Sequence, residues 1–258
     1  MTDSAGNKLP GPDSFPGPEG ALREVTVVSL SLRGFAGLAE STPAGIMEFL
    51  AAYLEALDAV GRTHGGRRIR ALGDMILWVQ GPGGPDHAAR ACHLSIDIAH
   101  RVHELRGSFP RLPPIEVDIG ISTGPAVAGE IADGPAVIGR VVELASHLRS
   151  LNPVYGTQIL LSGSTRTAAG GTLAVAREID LLQIRGRPAP VPLFELMLPL
   201  DQIRPPWLED FTRGYDLLRA GLRPQARAVF RNLSERNNDP VSRLLSERCA
   251  APQRRRDD

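Results

Sequence analysis

The chain has 258 residues, enough for one large domain and a smaller appendage. Its 29 Lys and Arg balance 29 Asp and Glu, which excludes the electrostatic footprint of a nucleic-acid binder or of a protein held on an anionic membrane. Apolar residues make up 42%, and the two cysteines, Cys92 and Cys249, exclude a disulfide framework and fit a reducing compartment.

Residues 1–22 are rich in Pro, Gly, Asp and Ser (KLPGPDSFPGPEG) and predict a disordered arm. They carry no apolar run of the secretory type. No stretch reaches the ~18 consecutive apolar residues of a membrane span. The reading is a cytoplasmic protein with no membrane or nucleic-acid partner.

Val25–Leu32 (VTVVSLSL) is a β-branched apolar run that predicts a buried strand. A helix follows over Pro43–His64, with Ile46, Phe49, Leu50, Tyr53, Leu54, Leu57 and Val60 on one stripe. Glu40, Ser41 and Thr42 read as its capped start. Arg67–Leu72 and Met75–Gln80 read as a hairpin turning at Gly73-Asp74. A second helix spans Asp86–Leu105, with Ala88, Ala91, Ser95, Ile98, Val102 and Leu105 inward. Ile115–Ile121 (IEVDIGI) alternates strictly, as a strand with one buried face does. A Gly-rich stretch to Gly139, a third helix over Val141–Leu151 and a strand at Ile159–Leu161 come next. Two strands then bracket Gly186-Arg187-Pro188. The order predicts an α+β domain over 23–198, a mixed sheet with helices packed on it. From 203 to 249 only helical periodicity remains, broken at Leu222-Arg223-Pro224. It predicts an αα-hairpin like a single tetratricopeptide unit, then a flexible tail over 250–258.

The strings VTVVSLSLRGFAGLAES, HGGRRIRALGDMILWVQGP, DHAARACHLSIDIAHRV, VDIGISTGPAVAGEI, AVIGRVVELASHLRSLN and YGTQILLS, in that order, resemble the class III adenylate and guanylate cyclase catalytic domain. The resemblance covers about Glu24 to Leu196 and is to bacterial members; the terminal helices resemble the tail of some of them. It implies a ferredoxin-like βαββαβ core that dimerises head to tail, with two composite sites at the interface.

Cyclisation is an in-line attack of a ribose oxygen on the α-phosphorus, assisted by two divalent cations. By resemblance, one metal aspartate belongs at Ser31 and the other at Asp74. A hydroxyl is a poor ligand for magnesium. The Asn and Arg that steady the transition state fall on Glu143 and His147. Glu143 sets a negative charge near an anionic triphosphate, and His147 is mostly neutral at pH 7. The purine-binding Lys falls on Arg70 and the base-selecting residue on Ala136. The 130–135 connection is shorter than the family's dimerising hairpin.

Losing one preorganised charge stabiliser costs roughly 10²–10³ in rate, so the expectation is a catalytically inactive cyclase-like protein. It keeps neither the aspartate pair nor the Asn/Arg pair, so it cannot complete a partner's half-site. It would act as a homodimer or on a heteromeric signalling partner, with a nucleotide in the vestigial cleft as an option. No cofactor is required; magnesium or manganese enters only with residual activity. The alternative is a weakly active diverged cyclase that makes cyclic AMP or GMP from ATP or GTP at Asp74. A third reading is a nucleotide sensor without turnover.

Other features have plainer readings beside the sharp ones. Gly73-Asp74 is also ordinary turn chemistry. His93, Asp97 and His100, with His103 nearby, have a chelating helical spacing that is also that of a solvated face. STGPAVAG lacks the ending of a phosphate loop. Arg254–Arg256 read as solvated tail.

Overall fold

The run VTVVSL has no alternation because it is the centre of a sheet. It lies in β1 (Ala21–Leu32), whose residues Val25–Leu30 are all buried. The computed structural model describes residues 19–41, 43, 45–72, 75–80, 86–113, 115–131, 134–172, 175–184, 188–198 and 204–251. β1 starts four residues before the expected Val25, inside the segment read as an arm; residues 1–18 lie outside the described ones.

A short helix, α1 (Phe35–Ser41), precedes α2 (Ile46–Thr63). The expected cap at 40–42 is therefore corrected. Ser41 ends α1, Thr42 lies outside the described residues, and Gly45 caps α2 at φ +83°, a conformation that favours glycine. β2 (Arg67–Leu72) and β3 (Met75–Gln80) form the expected hairpin; its turn, Gly73-Asp74, lies outside the described residues. α3 (His87–Ser108) buries Ala88, Ala91, Ser95, Ile98 and Val102, as the periodicity predicts. α2 packs on it, with Phe49 stacked on Tyr53 and edge-on to Phe109 at 5.3 Å.

β4 (Val117–Ile131) runs on through the Gly-rich stretch, and β5 (Gly134–Ile138) returns along it. α4 (Arg140–Tyr155), β6 (Ile159–Ser162) and α5 (Gly163–Ala168) follow. The strand order is β2-β3-β1-β4-β6. Its antiparallel β4-β1-β3-β2 part, with α1–α2 and α3 as connections, is the βαββαβ arrangement expected.

The alternation of Ile115–Ile121 does not leave a solvated face: Asp118, Gly120 and Ser122 are buried too. β4 lies between β1 and β6, with helices on both sides. One face carries Thr26, Val28 and Leu30 opposite Thr123, Ile121 and Ile119; the other carries Val25, Val27, Ser29 and Ser31 opposite Gly124, Ser122, Gly120 and Asp118. α3 covers the first face, where His87 bonds Thr26 at 2.7 Å. α4 covers the second so closely that a Cβ on Gly120 would overlap the Ala145 carbonyl and the Arg149 amide. Val25, Val27, Val79, Ala126, Ala128, Val141 and Ala145 form the core beneath α4.

The chain divides into two compact units. One runs to Asn152 and includes Gln158–Leu173; the other holds Pro153–Thr157 and the chain from Ala174. In the second, β7 (Ala176–Leu182) and β8 (Val191–Leu196) pair antiparallel. The expected hairpin of helices is instead three: α6 (Leu208–Arg219), α7 (Arg223–Asn237) and α8 (Pro240–Ala250). Asp239 caps α8 through the Ser242 amide at 2.9 Å, and Pro240 fills its first turn. The buried Arg177 forks onto Asp239 at 2.6 and 2.9 Å, donates Nε–H to Glu195 at 2.7 Å and lies 4.2 Å over the Phe211 ring. Burial opposes the Asp239 charge, but the guanidinium outweighs it and holds the carboxyl below its usual range. Among the described residues, no helix is long and apolar enough to cross a membrane.

Candidate functional site

The positions singled out in the sequence do not share one surface: Ser31 lies on the sheet face beneath α4, Glu143 and His147 on α4 itself, and Ala136 on the opposite face of the sheet. Ser31, near the end of β1, is half-buried and stands directly opposite Asp118 of β4. Ser29, two residues earlier on the same face, accepts from Ser146 of α4 at 3.4 Å. Glu143 and His147 lie one turn apart on α4, both exposed. Ala136 is half-buried in β5, opposite Gly129 of β4. Arg70 lies in β2 opposite Leu77, beside an irregularity in the ladder; its side chain, like all of Asp74, lies outside the described residues.

The strongest electrostatic feature of the face beneath α4 was not singled out in the sequence. Arg33, just past β1, donates from Nε to both oxygens of Asp118 at 3.1 and 3.3 Å. Its Nη2 donates to Asp118 as well, and its Nη1 to Glu116. The backbone joins in: Arg33 N–H donates to the Glu116 carbonyl at 2.8 Å. Asp118 is 6% exposed. Burial pushes its carboxyl above the usual range, against the pull of Arg33. Burial also opposes the Arg33 charge, but Asp118 and Glu116 more than offset it and hold the guanidinium charged. The signal was present in IEVDIGI, which sets Glu116 and Asp118 on one face, and in the Arg that follows VTVVSLSL. What was missing was the register that brings the strand ends together.

The helical His/Asp pattern resolves differently. Asp97 bonds His64 Nε2 at 2.7 Å, tying the end of α2 to α3, while His93, His100 and His103 are exposed. Among the described residues no group of three or more His, Cys, Asp or Glu is placed to hold a metal ion. STGPAVAG is strand, with Thr123 in a buried hydroxyl network.

The same stretch of chain is similar to known proteins. The family described as the adenylate and guanylate cyclase catalytic domain matches residues 19–191. Adenylate cyclase 1 of Rhizobium meliloti is 25% identical over 192 residues, 71% of this chain and 29% of that protein. This chain thus spans under a third of that relative's length. The guanylyl cyclase Cya2 superposes with a TM-score of 0.61 at 28% identity, over 70% of this chain and 97% of that one. A dimeric guanylyl cyclase domain of the fungus Blastocladiella emersonii gives a TM-score of 0.57 at 25% identity, over 69% and 98%. With a match that takes in well over half its residues, the chain belongs to the adenylate and guanylate cyclase catalytic domain family.

Proposed function

We propose that this chain is a cyclase homology domain that does not turn over nucleotide and acts by pairing, with a second copy of itself first. One observation carries the first half of this reading: the position that should offer a metal carboxylate is the Ser31 hydroxyl, and the carboxylate beside it is clamped by Arg33. The divalent ions that cyclases of this family use do not fit these donors. Hard cations need ionised oxygens free to coordinate. Asp118 is buried with a guanidinium already on it. Glu143 and His147 withdraw the family's two transition-state donors and add a negative charge. Each loss costs roughly 10²–10³ in rate, and together they leave on the order of background even when they are not additive.

The second half rests on an apolar row at the far end of the sheet. Leu22 of β1 pairs with Val127 of β4, which pairs with Ile138 of β5. The three are 69%, 48% and 73% exposed, and Ile131, on the same face of β4, is 64% exposed. Contiguous apolar side chains across three strands mark an interaction surface more than a solvated one. The guanylyl cyclase domain of Blastocladiella emersonii is described as a non-canonical dimer.

Sedimentation of the full chain tests the pairing. The expected result is a dimer at micromolar concentration that Ile138→Glu dissociates without loss of secondary structure. A monomer at every concentration contradicts self-pairing and leaves the row to a different signalling partner.

A further inference from the structure

From the ion cluster at the end of β1 we infer that the Arg33 guanidinium is the built-in cation of the α4 face, holding Asp118 and Glu116 as a latent carboxylate pair from which divalent ions are excluded. The inference rests on the reading of a site without its metal ligands and extends it to what stands in their place.

Three observations converge. The register puts Asp118 opposite Ser31, so a carboxylate still reaches the region where the family's first metal ligand belongs, now from the neighbouring strand. Glu116 lies two residues before Asp118, just ahead of β4, and the same guanidinium bonds it. Arg33 closes on both, with contacts to the two oxygens of Asp118 and to Oε2 of Glu116. A planar guanidinium suits this role, since its fork meets carboxylates at fixed geometry and it stays charged at any physiological pH. Arg33 faces the two carboxylates, and Arg149 of α4 adds a second positive charge that also acts on Asp118. A divalent ion would have to displace a guanidinium bonded in several places from a carboxylate that is nearly out of reach of water. The same pairing anchors the end of β1 to the start of β4, where the Arg33 amide bonds the Glu116 carbonyl.

Manganese titration followed by calorimetry and by the electron paramagnetic resonance of free Mn²⁺ is the test, with the full chain and no nucleotide. The wild type is expected to show no saturable binding that depends on Asp118. Arg33→Gln removes the cation and should gain a manganese site at least about tenfold tighter than any wild-type binding at this position. Adding Asp118→Asn to that variant should abolish the gain, and Arg33→Lys, which keeps the charge, should not show it. If Arg33→Gln does not fold, Arg33→Met fills similar space without the charge and replaces it; if neither folds, the wild type against Asp118→Asn alone decides. A folded Arg33→Gln or Arg33→Met chain with no gain overturns the inference, as does wild-type binding that Asp118→Asn abolishes. Wild-type binding that Asp118→Asn leaves intact supports the lock, because the ion then uses other ligands, and instead counts against the non-catalytic reading.

Discussion

His87 opens α3 in a buried position, and its hydrogen bonds fix which ring nitrogen carries the hydrogen when it is neutral. Thr123 donates to Thr165 at 3.0 Å, so Thr26 must donate to Thr123 at 2.8 Å. A hydroxyl has one proton, so Thr26 can only accept from His87, and Nδ1 carries the hydrogen of the neutral ring at 2.7 Å. Burial lowers the His87 pKa below its usual value; Glu24 pulls it up, and Arg90 pushes it further down. The helix N-terminus also disfavours a cation there. The folded chain therefore binds fewer protons at this ring than the unfolded chain does, and stability must fall as the pH drops through the unfolded value near ~6.5 towards the lowered folded one. Urea unfolding at pH 7.5, 6.5 and 5.5 should show this fall, and His87→Asn should flatten its slope; equal slopes would contradict the assignment. None of this was legible in the sequence. DHAARACHL offers His87 and His93 alike, and only the register of β1 against β4 brings Thr26 and Thr123 under the first. The same limit hid the Arg33 cluster.

At the scale of elements, the sequence spoke clearly where the pattern had one cause. The β2–β3 hairpin and the inner face of α3 follow from turn residues and a 3.6-residue period. It misled where two environments overlap. IEVDIGI alternates like a strand with one wet face, yet α4 lies on its polar side because Gly120 leaves room for the backbone to approach. Gly120→Ala inserts a methyl group into backbone atoms that cannot swing away. Such overpacking costs roughly 1–3 kcal/mol, or about 2–4 °C of melting temperature per kcal/mol in a chain of this size. Calorimetric melting that leaves Gly120→Ala within a degree of the wild type would contradict the packing of α4 on β4. The third terminal helix was missed although Asp239-Pro240 is a start signal, because the tandem-helix pattern before it absorbed the whole segment.

For the whole molecule, the family and its α+β core were readable from the ordered strings between Glu24 and Leu196. The structure adds a buried Asp118 that stands opposite Ser31 and is held by Arg33, and an exposed apolar row at the far end of the sheet. The central claim is that the face beneath α4 cannot assemble the charges that cyclisation needs. The most direct test is the initial rate of cyclic AMP and cyclic GMP formation by the purified full chain, with ATP or GTP, manganese and protein at high concentration. The account predicts no product above the protein-free blank. Product that rises in proportion to protein and disappears in Asp74→Ala would contradict it.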